Sequence, residues 1–284
     1  MPPPPAVTPP ERVRRKVSAG RDLPAAIGVG VALGAALLIG LFWWPPLFYI
    51  LVVLALGLGV LEVTGALSSR GLRVPLTPVL VGSLGIAVST LVWRAPGLVI
   101  AMAVAVAVVM IWRVVETTGL AAVRDVVAGI FTLAWVPFLG SFILLLFAQD
   151  DGAMRVLLAI AVPAANDTGG YIAGVLAGRH PMVPTISPKK SWEGFVGSLI
   201  CGTTTAAVIV TEGLGGPWWA GLIIGPVMVV IATVGDLCES LLKRDLGLKD
   251  MGSLLPGHGG VLDRIDSMLL SAPTAFLLLG VLLI

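Results

Sequence analysis

The sequence predicts an all-α, polytopic integral membrane protein of about nine transmembrane helices with its N-terminus in the cytoplasm. Three observations carry this expectation. Of 284 residues, 57% are hydrophobic and only 12% are charged, against about 25% charged in a soluble domain, and the mean hydropathy is +1.01. The apolar residues fall in runs long enough to cross about 30 Å of hydrocarbon as helix. Lys and Arg collect on one side of those runs. The net charge of +2 supplies no bulk attraction to nucleic acid, so the placement of the charges matters more than their sum.

Residues 1–23, rich in Pro and Arg and without an apolar stripe, read as a disordered cytoplasmic tail. The apolar run behind the tail is too long for a signal-peptide core and is read as a retained span. Helical spans are expected at 24–43, 46–66, 76–93, 97–114, 126–148, 154–177, 195–211, 217–235 and 268–284. Trp44, Pro45 and Pro46 leave little room between the first two, which predicts a tight helical hairpin. Trp43, Trp44, Trp93, Trp112, Trp192, Trp218 and Trp219 lie near span ends, where the bilayer interface favours their amphipathic rings. The first five spans (24–148) form one region, and spans six to nine (154–284), with two connections at 178–194 and 236–267, form a second that carries the chemistry.

Orientation follows from the basic residues. With the N-terminus inside, 16 of the 18 Lys and Arg side chains fall on the cytoplasmic side, and only Arg94 and Arg155 fall outside. That bias favours nine spans, N-in and C-out.

Residues 236–267 contain ten of the 34 charges, among them Asp236, Asp245, Asp250, Asp263 and Asp266 with Lys243, Arg244, Lys249 and Arg264. Mixed acids and bases beside glycines fit a site for a metal and phosphates. Carboxylate oxygens hold Mg²⁺, which takes further ligands from substrate phosphate, while Lys and Arg neutralise phosphoryl oxygens. Gly257, Gly259 and Gly260 surround His258 and allow backbone N–H groups to approach an anion. Asp263 and Asp266, three apart, share a helix face and read either as metal ligands or as N-caps of the last span.

Asn166 and Asp167 interrupt an apolar stretch, with Asp167 roughly 20 Å along its helix. A carboxylate at that depth costs about 2.5–3.5 kcal/mol unless paired or watered, which marks a functional site; a polar helix–helix contact is the alternative. Gly169, Gly170, Gly174 and Gly178 offer a face for close helix packing. Lys189 and Lys190, with flanking hydroxyls including Ser187, form a compact donor set for phosphate, although a lysine pair at a membrane edge also serves topology or anionic lipid. Cys201 and Cys238 have no Cys or His at ligand spacing and are expected as small buried apolar residues.

The run Ser240–Asp266 resembles the signature of the phosphatidate cytidylyltransferase (CDP-diacylglycerol synthase) family across its whole length. Asn166-Asp167-Thr168 with Tyr171, Ile186-Ser187-Pro188-Lys189-Lys190 with Glu193-Gly194, and Gly235-Asp236-Leu237 with Glu239-Ser240 resemble the family's other segments. The resemblance covers about residues 160–267; Gly170 and Ser198 depart from the pattern by small residues only. It implies that CTP and phosphatidate react to give CDP-diacylglycerol and pyrophosphate. It also implies Mg²⁺ held by Asp236 and Asp263 with Asp167 and Asp266 as further candidates, and a second cation such as K⁺ is compatible. Phosphates would be met by Lys189, Lys190, Lys243, Arg244 and Arg264. Asn166, Ser187, Glu193, Lys249, Asp250, Gly257, His258, Gly259 and Gly260 would shape the substrate pocket, and a homodimer in the cell membrane, with its active site on the cytoplasmic face, is the expected assembly. Rival readings are a cytidylyltransferase or CTP-dependent kinase acting on another lipid, an ion-coupled secondary transporter using Asp167, and a structural membrane protein.

Overall fold

The computed structural model describes residues 23–116, 118–252, 254 and 259–283; the proposed tail lies outside them. Helices dominate: α1 Leu23–Phe42, α2 Pro45–Ser68, α3 Leu76–Glu116, α4 Leu120–Leu133, α5 Phe142–Phe147, α6 Gly152–Ala177, α7 Trp192–Val208, α8 Trp218–Asp245 and α9 Leu262–Leu282. Among the described residues, seven helical segments are long and apolar enough to cross a membrane, with a shorter apolar helix at Ile27–Phe42. Trp44 separates α1 from α2, and Pro45 and Pro46 open α2, where a missing N–H costs nothing.

The 41 residues of α3 comprise two arms broken at Arg94, whose φ of 58° and ψ of −141° leave the helical region. A side chain at φ > 0 is strained, and Pro96 just beyond it starts the second arm. The arms lie side by side: a Cβ placed on Gly82 would stand 2.9 Å from that of Ala105. A cavity of about 800 Å³ between them is lined almost entirely by apolar residues. The fifth predicted span begins earlier than expected, at Leu120, and runs to Phe147 through a π turn at Ala134–Phe138. Pro137 accounts for the turn, because its ring cannot donate to the preceding helical turn.

The larger differences from expectation are in the connections. Residues 178–194 are not helical or loop throughout, so the fold is not purely α: β1 (Pro181–Val183) and β2 (Ser187–Ser191) form an antiparallel hairpin. α8 continues ten residues past its predicted end at 235, and α9 starts six before 268. Polar residues that an apolar-run criterion rejects are carried here on helix ends, because a helix leaving the hydrocarbon has no reason to stop.

α6 and α7 pack on glycine. A Cβ on Gly169 would meet the Gly197 carbonyl at 2.6 Å and the Cys201 Cβ at 2.7 Å, so the backbones touch where any side chain would part them. Both cysteines are exposed rather than buried as expected. Cys201 still touches α6, since a Cβ on Gly169 would lie 2.8 Å from its sulfur, and Cys238 lies on the part of α8 beyond residue 235. The seven predicted interfacial tryptophans are likewise exposed, whereas Trp135 at the π turn is buried.

One buried ion pair braces the first five spans. Arg113 binds the Asp125 carboxylate, donates to the Arg73 carbonyl at 2.7 Å and pairs with Glu116 at 2.5 Å. Asp125 in turn accepts the Arg73 N–H at 2.7 Å.

Candidate active site

The charged residues of α8 and α9 converge because α8 outlasts the hydrocarbon. Asp236, Glu239 and Lys243 follow at i, i+3 and i+7, which places them on one face. Opposite them stands the first turn of α9 with Asp263 and Asp266. Oxygens of Asp236, Glu239 and Asp266 lie within 4.8 Å of one another. Glu239 is fully buried, and among the described residues no hydrogen bond reaches its Oε1; its Oε2 accepts from the Lys243 ammonium at 2.7 Å. Three carboxylates this close repel strongly, and an unpartnered buried oxygen among them is costly. The arrangement fits a divalent cation bound by hard oxygen ligands.

Asp263 does not join that group. Its Oδ1 accepts from Lys243 at 3.0 Å, and its oxygens accept the N–H groups of Gly260 at 2.8 Å and Met251 at 3.1 Å. It therefore fastens the segment before α9 and holds Lys243 against α8. Asp266 is buried and accepts the Ser267 N–H at 2.7 Å.

α6 and the hairpin complete the site. Asn166, 3% exposed, is a hub. Its carbonyl accepts from Ser198 Oγ at 2.7 Å, its Oδ1 accepts from Thr233 Oγ1 at 3.1 Å, and its Nδ2 donates to Asp167 Oδ1 at 2.9 Å. Asp167 has Asp236, Asp266 and Lys190 as charged neighbours. Lys190 binds the Asp236 carboxylate and so links the hairpin to α8. A cavity of about 210 Å³ lies between α6, β2, α7 and α8, lined by Asn166, Asp167, Gly170, Tyr171, Met182, Lys189, Lys190, Ser191, Gly194, Phe195, Ser198 and Thr233. Tyr171, 73% exposed, stands at its rim.

Other expected site residues hold the scaffold. Ser187 opens β2 opposite Val183. Glu193, in the first turn of α7, accepts the N–H groups of Arg179 and His180 at 3.1 and 3.2 Å and pairs with the His180 ring at 2.5 Å, so it ties down the base of the hairpin. Ser191 caps α7 by accepting the Gly194 N–H at 3.1 Å. Arg244 donates to the Ile186 carbonyl, joining the end of α8 to the hairpin turn. Lys249, Asp250 and Arg264 are exposed. Gly259 has φ +82°, and a Cβ there would lie 3.2 Å from Asp263 Oδ2 and 3.6 Å from Asp250 Oδ1. Only glycine adopts that conformation freely. Gly257 and His258 lie outside the described residues.

Glu239, Thr233 and Ser198 are the site residues that sequence reasoning passed over. The spacing Asp236–Glu239–Lys243 is a helical signal, but it shows only once the span is carried past residue 235.

Carboxylates and lysines gathered where packed apolar helices end are side chains of the kind that suit phosphate groups and a divalent cation in a membrane protein. The sequence matches the model of the cytidylyltransferase family over residues 24–282. It is 43% identical to a phosphatidate cytidylyltransferase of Mycobacterium leprae (strain TN) over 279 residues, covering 93% of this chain and 89% of that protein. It is 42% identical to one of Mycobacterium bovis (strain ATCC BAA-935 / AF2122/97) over 276 residues, 93% and 90% of the two chains. With a phosphatidate cytidylyltransferase of Staphylococcus saprophyticus subsp. saprophyticus the identity is 41% over 156 residues, 54% and 58% of the two. The chain belongs to the cytidylyltransferase family and is a nucleotidyltransferase of the type its phosphatidate members represent.

Proposed function

We propose that this protein makes CDP-diacylglycerol and pyrophosphate from CTP and phosphatidate at the cytoplasmic face of the cell membrane, with Mg²⁺ as its cation. The observation that carries the reading is the group Asp236, Glu239 and Asp266, with its buried unpartnered oxygen, beside a cavity lined by two lysines.

A lipid phosphate oxygen attacks the α-phosphorus of CTP; the bond from that phosphorus to the bridging oxygen breaks, and pyrophosphate leaves. A phosphomonoester is largely dianionic near neutral pH, so no strong base is needed and the protein supplies alignment and charge neutralisation. Asp236, Glu239 and Asp266 would hold a divalent cation, with Asp167 and Asp263 close by as further candidates, and the cation when bound would neutralise phosphate charge and polarise the α-phosphorus. Lys243 is oriented by Glu239 and Asp263 before substrate arrives, and Lys190 by Asp236. These two, with Lys189, Arg244 and Arg264, neutralise the phosphates of the two substrates. His258 with Gly257, Gly259 and Gly260, together with Lys249 and Asp250, shape the nucleotide side.

The membrane reading supports the same site. Counted as separate crossings, α1 and both arms of α3 bring the total to nine; an odd number would put the termini on opposite sides, and the Lys and Arg distribution favours an inside tail and an inside site. Phosphatidate stays in the bilayer, which it leaves only at about 0.8 kcal/mol per buried CH₂, and enters laterally past Tyr171; CTP arrives from water.

Purified protein in detergent, given radiolabelled CTP, phosphatidate and Mg²⁺, should form a CDP-lipid. Folded protein that yields no such product with any divalent cation refutes the proposal.

A further inference from the structure

α2 belongs to the half of the protein that carries none of the site residues described above, yet it and the turn after it hold both ends of the segment that joins α8 to α9. Glu62, on the penultimate turns of α2, is 6% exposed. Its Oε1 accepts the Val261 N–H at 2.9 Å, and its Oε2 accepts the Leu262 N–H at 2.8 Å, across about 200 residues of chain. These are the first N–H groups of α9, which the helix itself leaves unpaired, and the negative charge opposes the positive end of the helix dipole. Two glycines admit the carboxylate: a Cβ on Gly260 would lie 2.6 Å from Glu62 Oε2, and one on Gly252 would overlap the carboxylate from the other side. Just past the end of α2, Arg70 Nε donates to the Leu246 carbonyl at 2.8 Å, at the end of α8.

A buried carboxylate is an expensive cap when Ser, Thr, Asn or Asp at the N-cap position would serve. Val261, which precedes α9, offers no such side chain. What the distant cap adds is position. Asp263 sits on that first turn and Asp266 begins the next, one and four residues beyond Leu262, so the placement of the helix start sets how Asp266 meets Asp236 and Glu239 and how Asp263 meets Lys243.

We propose that Glu62 is a positioning residue for the reaction: anchored in α2, and assisted by Arg70, it fixes the first turn of α9 and thereby the spacing of the carboxylates that receive the cation. The inference rests on the cation site assigned under the proposed function.

The test compares wild type with Glu62→Gln and Gly252→Ala. Glutamine keeps the size of the side chain but can accept only through one oxygen, so one of the two N–H groups loses its partner. The methyl of Gly252→Ala displaces the Glu62 carboxylate without replacing any charged residue. Purified folded protein is assayed for turnover against Mg²⁺ and against phosphatidate, and Mn²⁺ binding is read separately by electron paramagnetic resonance. Both variants should lower kcat at least tenfold, raise the Mn²⁺ dissociation constant about as much, and leave the KM for phosphatidate within twofold. Glu62→Asp, which keeps both oxygens, should recover part of the loss. Unchanged Mn²⁺ affinity in folded Glu62→Gln or Gly252→Ala overturns the proposal, as does a loss confined to the yield of folded protein. Wild-type protein that binds Mn²⁺ without making a CDP-lipid would refute the proposed function instead, and the Mn²⁺ comparison would still decide the role of Glu62.

Discussion

Replacing Glu239 by Gln separates a cation ligand from an anchor for Lys243. In the metal-free protein the substitution removes two of the three mutual repulsions among Asp236, Glu239 and Asp266. They lie within 4.8 Å of one another, so at an effective dielectric constant of about 20 each repulsion is worth at least about 3.5 kcal/mol, or at least about 7 kcal/mol together. Against this stands the lost attraction to Lys243 at 2.7 Å, about 6 kcal/mol on the same scale. The repulsion removed is at least as large as the attraction lost, so Glu239→Gln should not lower metal-free stability by more than about 1 kcal/mol. The cation then discriminates. At a hundredfold excess over its dissociation constant it stabilises wild type by about 2.7 kcal/mol, a rise in Tm on the order of 5 °C for a chain of this size. The variant should lose most of that rise and at least a hundredfold in kcat/KM. Thermal unfolding of detergent-purified protein with and without Mg²⁺, beside the turnover assay, measures both. A variant that keeps the full Mg²⁺-dependent rise refutes the assignment. One destabilised equally with and without Mg²⁺ shows Glu239 to be an anchor for Lys243 alone.

Asp263→Ala strips acceptors from Lys243, Met251 and Gly260 and should reduce turnover at least a hundredfold while the protein still fractionates with membranes; retained turnover would remove Asp263 from the machinery. Arg113→Met leaves Asp125 buried without its cation and should cost about 3–5 kcal/mol, most of which Arg113→Met with Asp125→Leu should restore, because a buried pair removed whole is far cheaper than one broken. Thermal unfolding of the three proteins checks that order. Gly169→Val inserts a branched side chain where the Gly197 carbonyl would stand 2.6 Å away. It should destabilise by about 1–3 kcal/mol or more and, since Asn166 lies one turn earlier, should also depress turnover of the protein that folds.

Much of the site was legible before the fold. Charged residues are scarce enough that their positions carry information: Asp236, Lys243, Asp263 and Asp266 stood out because they crowd one connection of an otherwise apolar chain, and Asn166 and Asp167 because they interrupt a span. The helix ends were harder to read, since hydropathy reports where lipid stops and not where hydrogen bonding stops. That is why 236–245 read as loop and Glu239 received no role. The hairpin at 181–191 was illegible for a related reason: its strands of three and five residues are too short for an alternating pattern to emerge. The break at Arg94, by contrast, lies where Pro96 and the missing apolar residues announce it.

What the sequence by itself determined is the medium and the kind of side chain at hand: apolar runs of helical length suit lipid, and carboxylates, lysines and glycines concentrated in two connections suit phosphate and a cation. What only the tertiary structure decided is which of those groups meet. Asp236, Glu239 and Asp266 come together while Asp263 turns away to Lys243 and the backbone. Glu62, about 200 residues upstream, caps the helix that carries two of these acids. The reason is physical. Composition and periodicity report the local environment of each residue, whereas oxygens within 4.8 Å of one another on different helices are set by how glycine faces, helix ends and distant caps let those helices approach.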